Sequence, residues 1–137
     1  MRKSSLSNKL QTVPAAFNGR NEITAGDVAE WFVRLSRGAL VSLWASHQMI
    51  EILKQQQYLN KIPGRLPDPD PGVCGALPLW QFAGKTGMVQ QVEHDSGILY
   101  LPGASFMVVA LTSQCPDAIA VLQELGWMIY SSWVGSS

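Results

Sequence analysis

Leu79-Trp80-Gln81-Phe82-Ala83-Gly84-Lys85-Thr86, followed by Val92 to Leu101 and by Phe106-Met107-Val108-Val109-Ala110-Leu111-Thr112, is the stretch on which the fold turns. All three runs are rich in residues that suit a pleated, half-buried surface, and each is bounded by turn formers. The connections around Gly87 to Gln91 and around Pro102-Gly103-Ala104 are short enough for hairpins. The economical outcome is an antiparallel three-strand meander, with Lys85 and Thr86 at the end of its first strand.

Working outward, Pro116-Asp117 opens a last helix from Ala118 to about Ser131, whose Ile119, Leu122, Leu125, Trp127, Met128 and Ile129 make it broadly apolar. It should lie flat across one face of the meander. On the other side, residues 62–78 hold Pro63, Gly64, Pro67, Pro69, Pro71, Gly72, Gly75 and Pro78. Proline removes backbone donors and bars the preceding residue from the helical region, so this stretch is expected to be loop running over the surface. Two helices precede it. Thr24 with Asp27 predicts a capping box for a helix carrying Val28, Trp31, Phe32 and Leu35 and ended by Gly38. A second is expected from Ser42 or Ser46 through Met49, Ile50, Ile52 and Leu53 to Tyr58. Residues 1–20 show no period and read as a flexible lead-in, leaving 21–137 as the folded part. The expected class is α+β, helices packed on an antiparallel sheet.

Composition narrows the function classes. The chain has 137 residues, the length of one domain, with 47% apolar and 15% charged residues. Ten basic and ten acidic residues cancel, which gives no electrostatic pull toward nucleic acid. Arg34, Arg37, Glu51 and Lys54 interrupt any run long enough to span a membrane, and the basic N-terminus lacks the apolar run of a signal peptide. Cys74 and Cys115 have no C-x-x-C spacing, so neither a zinc site nor a redox motif is expected, and no metal or cofactor. A disulfide between them would need an oxidising compartment and close Cα atoms.

Lys85-Thr86-Gly87 carries the most chemical content. Lys-Thr-Gly is one of three signatures of class A β-lactamases and penicillin-binding proteins. Thr24-x-x-Asp27-Val28-Ala29 lies upstream on one helix, and Ser46-x-x-Met49-Ile50-Glu51-Ile52-Leu53-Lys54-x-Gln56 on the next. His94-Asp95-x-Gly97-Ile98 follows the signature. In order and spacing this resembles the C-terminal half of β-lactamase-related serine hydrolases, from about Asn21 to Ser131. The resemblance implies two helices, then strands three, four and five of an α/β/α sandwich, then the C-terminal helix. It also implies that the Lys-Thr-Gly strand walls a cleft in which the Lys85 ammonium and the Thr86 hydroxyl hold a substrate carboxylate, as in a β-lactam or peptide-like substrate. The family's compartment is often extracytoplasmic.

The chemistry of the residues agrees. One positive charge plus neutral donors is the natural holder for a carboxylate, and Gly87 leaves room for a ligand to pair with the strand edge. Lys85, Thr86 and Gly87 are the candidate substrate contacts. His94, on the next strand, can face the same cleft as Thr86 where class A enzymes often place an Arg, or it can be a structural histidine bonded to Asp95 or to backbone. His47 reads as structural and the five tryptophans as core.

The nucleophile signatures are absent from these residues. The residues three positions before Lys9, Lys54, Lys61 and Lys85 are Leu6, Glu51, Tyr58 and Phe82, never Ser, and there is no Ser-Asp-Asn. The chain by itself is expected to be catalytically inactive. Two readings stay open. It is a piece of a longer serine hydrolase, or a catalytically silent ligand-binding or interaction module descended from one. Both leave room for self-association or for an N-terminal partner half.

Overall fold

Thr24 starts the first helix as its position predicts. Its hydroxyl accepts from the Asp27 N–H at 3.1 Å while Asp27 Oδ2 accepts from the Thr24 N–H at 3.0 Å, so two of the amide donors orphaned at a helix start are satisfied reciprocally. In the computed structural model, which describes residues 23–68 and 79–135, this helix is α1 (Ala25–Ser36). Gly38 follows it at φ 68°, a backbone region open to glycine and costly for other residues. Helix α2 (Leu43–Lys54) is capped by the Ser42 hydroxyl and stops short of the expected Tyr58. Between the helices, the buried Ser46 hydroxyl accepts from the Leu40 N–H at 3.1 Å and donates to the Leu40 carbonyl at 2.9 Å. Gripping Leu40 from both sides leaves Val41 at φ 62° with its side chain in solvent.

The meander is present, with different first bounds. Strands β1 (Gln81–Val89), β2 (Val92–Leu101) and β3 (Ala104–Ser113) pair antiparallel in the order β1-β2-β3. The first turn falls at Gln90 and Gln91, so Gly87, Met88 and Val89 belong to the strand and Lys85 lies in its middle. The last helix, α3 (Ala118–Val134), crosses one sheet face as expected and runs three residues past Ser131.

Alternation along the strands divides the core in two. One face sends Ala83 and Ile98 against Phe32 and Leu35 of α1, with Met49, Ile50 and Leu53 of α2 packed around them. The other sends Phe82, Leu99, Leu101 and Val108 against Leu122 and Tyr130 of α3 and against Ile62 and Leu66. The result is three layers, helices on both sides of the sheet. Ile62 and Leu66 correct the expectation for the start of the proline-rich stretch, of which residues 69–78 lie outside the described residues. A 3-10 turn, Ile62–Arg65, runs beneath the sheet with Lys61, Ile62 and Pro63 buried. The Pro63 ring needs no N–H there, which is why a proline tolerates the site. Helix α3 meets this turn at Gly126, where a Cβ would lie 1.9 Å from the Ile62 carbonyl oxygen. The expected lead-in over 1–20 lies outside the described residues, as does Cys74. Cys115 carries a free, partly buried thiol.

Trp44 was expected in the core and is 73% exposed, because it falls on the outer side of the first turn of α2. His47, one helical turn on, is exposed too and has no structural burial to explain it. Among the described residues no helix is long and apolar enough to cross a membrane.

Candidate functional site

Strand β1 is an edge strand, paired only with β2 among the described residues. Its central residues alternate across the sheet. Lys85 is exposed and lies on the face covered by α1 and α2, together with Ala83 and Gly87. Thr86 is half-buried on the opposite face, with Phe82. A ligand lying along this edge would therefore meet the ammonium from one side of the sheet plane and the hydroxyl from the other. The Lys85 ammonium now turns back on the Thr86 carbonyl.

The register separates two residues expected to face one cleft. Thr86 pairs with Asp95, and Gly87 pairs with His94, so His94 shares a face with Lys85 and Gly87 but not with Thr86. The hairpin turn falls at Gln90–Gln91, and one residue of register decides the face. Gly87 leaves the position opposite His94 without a side chain, and a Cβ there would touch His94 Cβ at 3.5 Å. The His94 Nδ1 lies 3.1 Å from the Thr112 N–H and 3.0 Å from the Glu93 carbonyl. An unprotonated Nδ1 accepts from Thr112, and a protonated one donates to Glu93, so the two contacts are alternatives.

Beneath β1 and β2 lies a buried charge cluster with no counterpart in the local sequence pattern. Lys61, 5% exposed, points its ammonium at Glu93 Oε2 at 2.7 Å and donates to the carbonyls of Gly87 at 3.3 Å and His94 at 3.2 Å. Next to it the fully buried Asp95 carboxylate accepts from the Ile62 N–H at 3.0 Å and the Ser96 N–H at 3.1 Å. Burial pushes the Asp95 carboxyl up to about 6, against the opposing pull of those two amides and of the Lys61 and Lys85 charges. Further bonds tie the segment to α3. The Gln123 side chain donates to the Asn60 carbonyl at 2.8 Å, and Arg65 pairs with Glu124. Sequence reasoning missed Lys61. The one available signal was a lysine directly before Ile62-Pro63 in an otherwise charge-poor chain.

A cleft of about 880 Å³ opens elsewhere, between the β1–β2 turn and the start of α3, with Glu93, Cys115 and Asp117 in its lining. None of Lys85, Thr86 and Gly87 lines it. Among the described residues no three His, Cys, Asp or Glu side chains are grouped so as to hold a metal.

The three-layer arrangement of helices and antiparallel sheet is that of a β-lactamase or transpeptidase-like fragment. The chain belongs to the beta-lactamase enzyme family, whose model (Beta-lactamase2) matches residues 1–133. Solved structures agree in fold. The beta-lactamase from Sphaerobacter thermophilus DSM 20745 superposes with TM-score 0.71 at 20% identity, over 84% of this chain and 42% of that one. PBP-A superposes with TM-score 0.66 at 18% identity, over 91% of this chain and 45% of that one. A PBP-A mutant captured as an acyl-enzyme complex with penicillin G gives 0.66 at 19%, over 85% and 42%. This chain thus spans less than half the length of the structures it matches. No curated protein sequence matches it.

Proposed function

We propose that this chain forms the carboxylate-binding wall of a serine acyl-transfer site, whose nucleophile comes from residues other than those of this chain. The observation that carries this reading is the edge of β1, unpaired among the described residues, with the exposed Lys85 side chain on one face, Thr86 on the other, and Gly87 opposite His94. An extended substrate can pair with the strand edge through its backbone while its carboxylate takes charge-assisted hydrogen bonds from Lys85 and Thr86. Attack of a serine on an amide or β-lactam carbonyl, then hydrolysis, is the reaction the wall would serve. The partner of the reaction is a small molecule with a carboxylate. No Ser-x-x-Lys or Ser-Asp-Asn occurs among these residues, which supports the division of labour.

The alternative is a catalytically silent interaction module. Its support is the outer side of α3, where Val121 and Met128 are exposed, and the outer edge of β3, unpaired among the described residues. Both features suit a covering protein layer, either a partner half or a second copy. The test joins this segment to a complementary half carrying Ser-x-x-Lys and assays hydrolysis of a chromogenic β-lactam. Restored turnover supports the cleft wall. A folded fusion with no turnover and no penicillin binding supports the module.

A further inference from the structure

We infer that Lys61 is a positioning residue for the cleft strand, its buried ammonium fixing the backbone of β1 against β2 at the Gly87–His94 pair. Three contacts converge on one nitrogen: the carbonyls of Gly87 and His94, which belong to two different strands, and Oε2 of Glu93. A single cation bridging two paired strands restrains their relative position at that rung, because parting them would strand a buried charge. The side chain is 6% exposed, and its charge is already neutralised by Glu93. Lys61 therefore acts on the ligand edge through Gly87 and not by touching a ligand.

The origin of Lys61 strengthens the case. It precedes the 3-10 turn, which is held on three sides: by Asp95 through the Ile62 amide, by α3 through the close approach at Gly126, and by the Gln123 bond to Asn60. The ammonium thus transmits the position of a fixed turn to the strand that carries Lys85, Thr86 and Gly87. The functional consequence rests on the proposed ligand-facing role of those three residues, whereas the clamp itself does not.

The test compares the full chain with a Lys61→Met/Glu93→Gln variant, which removes both charges together, by amide hydrogen exchange and NMR. Exchange at the amides of the Thr86–Met88 segment that pair with β2, and at Glu93 and His94, should accelerate roughly tenfold to a hundredfold, while the paired amides at the Phe82–Leu99 end keep their protection. A uniform acceleration through all three strands, or none, overturns the inference, since the pair would then serve global stability or nothing. Should the variant not fold, the wild-type ammonium decides. Slowly exchanging Lys61 ammonium protons at neutral pH support the clamp, and solvent-rate exchange overturns it. In a second arm, penicillin G is titrated while the Lys85–Gly87 resonances are followed. Binding at least tenfold weaker in the variant supports positioning, and equal binding overturns it. No shift even in the wild type refutes the ligand-facing role and leaves the exchange arm to decide the clamp.

Discussion

The Ile62 backbone N–H donates to Asp95 Oδ2 across 3.0 Å, joining the turn beneath the sheet to its central strand. The acceptor is a fully buried carboxylate whose pKa burial raises from the ordinary 3.8 to about 6. The folded protein therefore binds this proton more tightly than the unfolded chain does. The stabilisation is complete below the ordinary value and is lost as pH rises through about 6. Urea unfolding should show stability falling by on the order of 3 kcal/mol between about pH 4 and about pH 7, with Asp95→Asn flattening that slope. A wild-type profile that rises over this window would show that Asp95 is not the group in control.

Two glycine-to-alanine substitutions should move stability in opposite directions. At Gly26 in α1 the nearest atom to an added Cβ is Thr24 Oγ1 at 3.7 Å, so Gly26→Ala should stabilise by roughly 0.5–1 kcal/mol through helix propensity. At Gly126 the added carbon meets the Ile62 carbonyl oxygen at 1.9 Å, a backbone atom that cannot swing aside. Gly126→Ala should destabilise by about 1–3 kcal/mol or more despite the same propensity gain. Denaturation midpoints of the two variants check both signs at once.

Val41 sits at φ 62° and is 96% exposed, so its side chain adds strain without packing. Relieving a left-handed conformation of a β-branched residue outweighs the extra freedom that glycine gives the unfolded chain. Val41→Gly should raise stability by roughly 0.5–1 kcal/mol. A lowered melting temperature would mean that the exposed tip makes contacts in solution.

Lys85→Ala, made in the joined enzyme described above, should lower kcat/KM tenfold to a hundredfold, equivalent to roughly 1.5–3 kcal/mol, while folding stability changes by less than about 0.5 kcal/mol. Arg37→Ala, an exposed cation at the end of α1, is the control. Equal losses from both substitutions would remove Lys85 from the site. The unjoined chain should take up no penicillin covalently, and a stoichiometric adduct by mass spectrometry would contradict the placement of the nucleophile elsewhere.

Local patterns determined a good part of this fold. The Thr24–Asp27 capping box was legible because both partners lie within one helical turn, and β2 and the start of α3 because an extended run bounded by turn formers and Pro116-Asp117 are features of adjacent residues. The family resemblance rested on the same short-range motifs. Tertiary structure decided what depends on distant atoms. Whether His94 shares a face with Thr86 depends on where the hairpin turns, and moving the expected turn to Gln90–Gln91 carried Gly87 into the strand. Trp44 is indistinguishable from a core tryptophan until the rotation of α2 against the sheet is known. Lys61 is the plainest case. Its carbonyl partners lie 26 and 33 residues further along the chain, and a lysine is buried only where such distant acceptors and a counter-ion converge on it.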